Sequence, residues 1–185
     1  MDVDWTTLLA DQLDWHWQHQ LRPRLDGLAD AEYLWEPVPD CWSIRPRGQA
    51  RTPAALGAGD YVLEWAHPAP DPAPVTTIAW RLAHVMVGVF GQRSDRHFGG
   101  PPVSYDSFDY AVTGSQALAQ LDEAYAAWAG GVRGLSAADL ARPCGPAEGP
   151  FADVPLAGLI LHINREAIHH GAEIALLRDL YLREG

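Results

Sequence analysis

Apolar residues recur at three- and four-residue steps along four long stretches of this chain, which is the spacing of amphipathic helices. The first stretch covers residues 5–25 and carries leucine or tryptophan at every fourth position from residue 9. The second covers residues 76–98, the third begins near residue 113, and the fourth covers residues 153–182. The pattern therefore predicts four long helices.

Residues that commonly cap helices stand at the start of the last three stretches. They are Thr76 or Thr77, then Thr113 with Gln116 as its capping-box partner, and Asp153. A short helical turn is expected over residues 30–35, and a brief capped helix over residues 136–139. Pro23 predicts a kink or a stop near the end of the first helix.

Residues 36–74 form a long stretch with eight prolines and no sustained periodicity. Within it, residues 60–65 fit either a short helix or a strand. No segment alternates long enough to propose a sheet, so the expected fold is all-α, an antiparallel four-helix bundle with one long crossover. One domain is expected to cover residues 1–185, and the proline-rich loop is long enough to suggest a functional role.

Composition narrows the classes of partner. The 185 residues carry a formal net charge of -11, which disfavours nucleic-acid backbones and anionic membranes as partners. Cys41 and Cys144 lack C-x-x-C spacing, which is typical of a reduced, intracellular protein. The N-terminus lacks the features of a signal peptide and no apolar run reaches membrane-spanning length, so we expect a cytoplasmic protein with a small-molecule substrate.

The fourth helix carries the candidate chemistry. Glu166 and His170 lie one turn apart, and His170 falls inside the apolar stripe. Buried polar groups are costly unless they are compensated, and a divalent metal would compensate this pair. His84, central on the nearly all-apolar second helix, is the best third ligand. Three protein ligands with an open position are typical of a catalytic metal site.

Alternatives remain open among the neighbouring polar residues. His162 and His169 share two helical turns with Glu166, and either of them would be its rival as the third ligand. A histidine on an apolar face is also more often an ordinary core residue than a ligand. Arg81, one turn before His84, would either bind an anionic group of substrate or cofactor, or pair with an acid such as Glu173.

The remaining histidines are weaker candidates. Two lie among polar residues of the first helix, and two lie beside proline or at a helix end, where exposure is expected. They are His16 and His19, then His67 and His97.

Two segments resemble the DinB-like superfamily of metalloenzymes. They are TTIAWRLAH, which ends at His84, and HINREAIHHG over residues 162–171. The resemblance implies an up-up-down-down four-helix bundle and a divalent metal held by His84, His170 and the residue at position 166. The usual pattern there is H-x-x-x-H; a glutamate at the first position is similar to the N-terminal domain of mycothiol-dependent maleylpyruvate isomerases. The family's Arg-Gly-Gln is replaced here by residues 171–173, Gly-Ala-Glu.

The resemblance implies a metal-dependent enzyme that uses zinc or nickel and a low-molecular-weight thiol such as mycothiol. The expected reaction is a thiol-dependent transfer or isomerisation of a small molecule, with Arg81 and His169 as candidate catalytic residues and Arg81 as the candidate cofactor contact. One alternative is a non-catalytic, stress-linked metal-binding bundle. Another is a hydrolase that uses metal-activated water with His169 or Glu173 as its base. A homodimer remains an open alternative for the assembly.

Overall fold

The computed structural model describes residues 3–184 and is mostly helical, with four long helical segments. The elements follow the chain in this order: α1 (Trp5–His16), a π-helical turn (Trp17–Leu21), α2 (Arg22–Arg24), α3 (Asp30–Tyr33), β1 (Ile44–Pro46), a 3₁₀ turn (Arg47–Gln49), β2 (Ala54–Leu56), β3 (Tyr61–Trp65), α4 (Ile78–His84), a π-helical turn (Val85–Gly91), α5 (Gln92–Phe98), α6 (Gly114–Arg133), α7 (Ala137–Ala141), a 3₁₀ segment (Pro146–Phe151) and α8 (Leu156–Tyr181).

The four long segments match the four predicted stretches. The first segment runs without a break from α1 through the π-helical turn into α2, and the second does the same from α4 into α5. All five positions of the predicted four-residue stripe on the first segment are buried: Leu9, Leu13, Trp17, Leu21 and Leu25. Apolar side chains from all four segments form one core cluster, in which α1 packs against α6 and α8, and α4 packs against the same two helices.

Side-chain caps confirm most of the predicted helix starts. Thr77 accepts a hydrogen bond from the Trp80 amide at the start of α4, and Thr113 accepts one from the Gln116 amide at the start of α6. Ser136 forms a capping box at the start of α7. These contacts satisfy amide donors that a helix N-terminus otherwise leaves unpaired.

The prediction that Asp153 caps the last helix is wrong. α8 begins at Leu156, with Pro155 preceding it and no side-chain cap. The reason is a pairing with an earlier part of the chain, in which the Cys144 amide donates to the Val154 carbonyl and the Leu156 amide donates to the Arg142 carbonyl. These bonds hold the chain extended just before α8, so the helix starts two residues later than a cap at Asp153 would place it.

A small antiparallel sheet corrects the expectation that the chain has none. Its strand order is β1-β3-β2, and Leu63 of β3 lies opposite Ile44 of β1 and Leu56 of β2. The segment predicted as a helix or a strand is therefore the central strand. β1 and β2 have only three residues each, which is too short for alternation to identify them.

The long helices are not membrane spans. α8 is the longest helix with 26 residues, yet none of the helices within residues 3–184 combines the length and apolar character that crossing a bilayer would need.

Candidate metal centre

Three donor side chains meet where α4 packs against α8. His84 is the last residue of α4, and Glu166 and His170 lie one turn apart on α8. One ligand atom from each residue lies within 4.8 Å of the other two, and Glu166 Oε2 is 3.5 Å from His170 Nε2. Around a tetrahedral metal with bonds of about 2.1 Å, ligand atoms are about 3.4 Å apart. The three donors therefore lie at or slightly beyond the spacing that such a site requires.

Both imidazole rings are held by an oxygen atom at Nδ1. His84 Nδ1 is 2.8 Å from the Tyr105 hydroxyl, and His170 Nδ1 is 2.7 Å from Glu173 Oε2. This leaves Nε2 of each ring for a metal. The two ring centroids are 4.8 Å apart and the rings are nearly perpendicular. An oxygen partner at the second ring nitrogen is the usual arrangement of metal-binding histidines, because it fixes the tautomer and the ring orientation.

The charge state of His84 suits a metal ligand. Burial, together with nearby charges at His170, Arg81 and Arg93, lowers the pKa of His84 to about 3. The His84 ring is therefore neutral at physiological pH, which is the form that binds metals. Glu166 adds a carboxylate that remains 29% exposed, whereas His170 is only 8% exposed.

A stack of two tryptophan side chains connects the small sheet to the His84 ring. Trp80 stacks on His84 with 5.8 Å between centroids, and Trp65 of β3 stacks on Trp80 at 6.0 Å. The Trp80 indole N–H also donates to the Glu64 carbonyl at 2.8 Å. The small sheet thus fixes Trp80, and Trp80 limits how far His84 can turn.

A pocket of about 170 Å³ opens beside two of the donors. Its walls come from α4, the following π-helical turn, α5, the loop before α6, and α8. The lining residues are His84, Gly88, Val89, Gln92, Arg93, Tyr105, His162, Ile163 and Glu166. A small molecule in this pocket would lie next to the open side of the donor cluster.

A sequence model of the DinB superfamily matches residues 12–174, which include every donor described above. The chain belongs to the DinB superfamily. Neither the curated proteins nor the solved structures that were searched gave a significant match. The DinB superfamily binds metals, and the cluster of His84, Glu166 and His170 is a group that could hold a divalent ion in this member.

Arg81 pairs with Glu173, which confirms one of the two alternatives for this residue. Its Nε lies 3.0 Å from Glu173 Oε2, although the contact is not aligned as a hydrogen bond, and its Nη1 lies 3.5 Å from His170 Nδ1. Arg81 is not among the residues that line the pocket. Its suggested contact with a cofactor therefore stays a prediction, and the pocket offers it no support.

The two rivals of Glu166 are not part of the donor group that contains His84. His169 is 63% exposed, its Nε2 lies 3.5 Å from Glu173 Oε1, and it does not line the pocket. His162 lines the pocket, with Nδ1 3.6 Å from Glu166 Oε1. His169 could join a second potential donor group only with His170 and Glu173. The geometry favours Glu166 as third ligand, and the assignment stays a prediction.

The expectation that His97 lies at the surface is wrong. Its side chain is only 6% exposed, and Nε2 lies 3.0 Å from Glu148 Oε1. The 3₁₀ segment Pro146–Phe151 brings Glu148 against α5, a contact between residues 51 positions apart that local sequence does not reveal. His19 and His67 are exposed as expected, and the half-buried His16 faces Gly171 on another side of α8.

Three polar residues of the pocket were not identified from the sequence: Tyr105, Gln92 and Arg93. Tyr105 comes from a loop with no periodicity. Gln92 and Arg93 lie eight and nine residues after His84. The π-helical turn Val85–Gly91 lies between His84 and these two residues, and its helical turns are longer than those of an α-helix. A search for polar residues eight or nine positions after the candidate ligand would have identified both.

Removal of the Tyr105 hydroxyl tests the support of His84. Tyr105→Phe leaves Nδ1 without its oxygen partner, and we expect metal affinity to fall by about 10- to 100-fold. Gly88→Ala should have the same effect, because its Cβ would lie 2.1 Å from that hydroxyl. Competition with a chromophoric chelator measures the affinity, and Tyr61→Phe in β3 is the control. Unchanged affinity in Tyr105→Phe would show that the hydroxyl does not orient the ring.

Proposed function

We propose that this protein is an enzyme that holds one zinc or nickel ion between His84, Glu166 and His170. The observation that carries the proposal is that these donors cluster beside a 170 Å³ pocket, with His84 and Glu166 in its wall. Three protein ligands with an accessible side are typical of catalytic sites, whereas structural sites are closed by a fourth ligand. Two imidazoles and one carboxylate suit either metal.

The proposed reaction is a thiol-dependent transfer or isomerisation of a small molecule, with a low-molecular-weight thiol such as mycothiol as second substrate. A divalent ion, when bound, lowers the pKa of a coordinated thiol and favours the thiolate nucleophile. The chain supplies the imidazoles of His84 and His170 and the charge of Glu166. Tyr105 holds His84 in place, and Val89 and Ile163 give the pocket apolar surface that favours an organic substrate.

The two residues proposed as the base of the hydrolase alternative lie outside the pocket lining. His169 and Glu173 were its candidates. Glu173 is engaged by Arg81 and His170, and the side chain of His169 is largely exposed. Neither residue lines the pocket, so neither could reach a water molecule held there without a rearrangement. This arrangement favours the thiol-dependent reaction.

We also infer that the four long segments connect as the up-up-down-down bundle of the superfamily within one domain. The inference is supported by the continuous core that all four segments share, and by the packing of α1 and α4 against both α6 and α8. The three-stranded sheet lies in the long connection between the first two segments.

A metal- and thiol-dependence assay tests the proposed function. The purified chain is depleted with chelator, reloaded with zinc or nickel, and incubated with small electrophiles in the presence and absence of mycothiol, glutathione or cysteine. We expect one bound ion per chain and product that requires both the metal and one of the thiols.

Other outcomes of that assay would contradict the proposal. Product that forms with metal but without thiol would indicate a hydrolase. Full metal binding with no turnover for any thiol would indicate a metal-binding protein without catalytic activity. Absence of bound metal after reloading would overturn the metal centre itself.

A further inference from the structure

Arg93 places a positive charge in the wall of the pocket that holds the metal donors. Its side chain is 20% exposed, and Nη1 donates to the Gly88 carbonyl at 2.9 Å. Nε is buried and has no acceptor. The protein therefore does not satisfy all the donors of this guanidinium.

The charge of Arg93 is only partly balanced. Glu148 is the single carboxylate within 4 Å of it in the described part of the chain, at 3.4 Å from Nη2. The same carboxylate lies 3.9 Å from Arg96 Nη1 and 3.0 Å from His97 Nε2. Two guanidinium groups thus share one carboxylate, so the charge of Arg93 is only partly balanced at this contact even when His97 is neutral. The other carboxylate of the pocket wall, that of Glu166, forms no ion pair with Arg93 within 4 Å.

Arg81 resembles Arg93 in that its Nε lacks an aligned acceptor, but it differs in its carboxylate and in its position. Glu173 lies 3.0 Å from the Arg81 guanidinium, and that carboxylate is not shared with a second arginine. Arg81 also lies outside the pocket lining, whereas Arg93 and its neighbour Gln92 are both part of it. Of the two arginines near the donor cluster, only Arg93 combines a partly balanced charge with a place in the pocket wall.

We propose that Arg93 binds the carboxylate of a small organic acid in this pocket. The inference deepens the proposed function and rests on it, because it implies that either the substrate or the thiol carries a carboxylate beside the metal centre. A planar guanidinium matches a carboxylate with two parallel hydrogen bonds. Glu148 pairs with Nη2 of the guanidinium, Gln92 adds an amide, and Val89 and Ile163 contact the apolar part of the acid.

The first arm of the test needs no metal. Butyrate and 1-butanol are titrated into the metal-free protein at constant ionic strength, and binding is followed by amide chemical shifts in NMR spectra. We expect wild-type protein to bind butyrate about tenfold more tightly than butanol, since hydrogen bonds to charged groups are the stronger ones. Arg93→Gln should remove this preference, Arg93→Lys should keep part of it, and the exposed Arg142→Gln should keep all of it.

The second arm identifies which molecule carries the carboxylate. Zinc-loaded protein is titrated with 3-mercaptopropionate and with 3-mercapto-1-propanol. If the thiol carries the carboxylate, mercaptopropionate binds more tightly and displaces butyrate, and Arg93→Gln abolishes the difference. If the substrate carries it, the two thiols bind equally well, and butyrate still binds when either of them occupies the metal.

The two proposals fail in different ways. Equal binding of butyrate and butanol by wild-type protein, or an unchanged preference in a folded Arg93→Gln variant, overturns the role of Arg93. The protein could instead fail to take up zinc but still bind butyrate in a way that depends on Arg93. That result overturns the metal-dependent function and leaves the carboxylate site intact. Thermal melting of each variant establishes that it is folded.

Discussion

His84→Ala and His170→Ala should each lower metal affinity by about a hundredfold or more. Structural zinc sites with four ligands bind with about 10–16 kcal/mol, which is about 3 kcal/mol per ligand, or about two orders of magnitude in affinity. Each substitution removes one of three donors and leaves the other two beside a cavity. Mass spectrometry of the metal after reloading gives the occupancy. Titration calorimetry with zinc gives the affinity.

The matched controls are His169→Ala and His67→Ala. His169 adjoins His170 but is largely exposed and does not line the pocket, and His67 is exposed in the proline-rich stretch. Both variants should keep wild-type affinity. His97→Ala is not a suitable control, because that ring contacts the buried carboxylate of Glu148. If His169→Ala lost the metal and His84→Ala kept it, the ion would lie in the other donor group, that of His169, His170 and Glu173.

The long helices were predictable because their apolar pattern repeats over several turns. The stripe from Leu9 to Leu25 covers more than four turns, so one misplaced residue does not hide it. β1 and β2 offer three residues each, and the buried Glu64 of β3 interrupts the apolar run that would mark a central strand. Glu64 is tolerated because Arg45 and the amides of Ser43 and Arg51 bind its carboxylate. Those partners are 13 to 21 residues away, which no local pattern shows.

The candidate site was predictable only in part for the same reason. Glu166 and His170 share a helix, so their proximity follows from helical geometry. His84 could be proposed because an isolated histidine on an apolar helix is conspicuous. Tyr105 lies in a loop and contacts His84, 21 positions away. Glu148 lies in the 3₁₀ segment and contacts His97, 51 positions away. Such contacts depend on tertiary packing, which the sequence pattern does not encode locally.

The sheet that the sequence did not reveal is connected to the candidate site. β3 supplies Trp65, which stacks on Trp80, and the backbone carbonyl of Glu64, which accepts the Trp80 indole N–H. Trp80 in turn stacks on His84. The long connection between the first two helical segments therefore orders a side chain of the donor cluster. This link gives the proline-rich stretch a role in positioning the site.

Glu166 is the donor on which the third-ligand assignment depends. Its carboxylate is 3.5 Å from His170 Nε2 and belongs to the group that includes His84. Glu166→Leu should therefore lower zinc affinity by about a hundredfold or more, as for the two histidines. Glu166→His replaces one donor by another and restores the commoner pattern of the superfamily, so it should retain the metal.

Glu166→His should also differ from wild type in how acidic a bound thiol becomes. A carboxylate ligand donates negative charge to the ion, so it makes the ion a weaker Lewis acid than an all-histidine site would. The pKa of a zinc-bound thiol should therefore be lower in Glu166→His than in wild type, as measured by the pH dependence of 3-mercapto-1-propanol binding. Full metal occupancy in Glu166→Leu would contradict the assignment. His162, whose Nδ1 lies 3.6 Å from that carboxylate, would then be the first candidate for the third ligand, and His162→Ala in the Glu166→Leu background would test it.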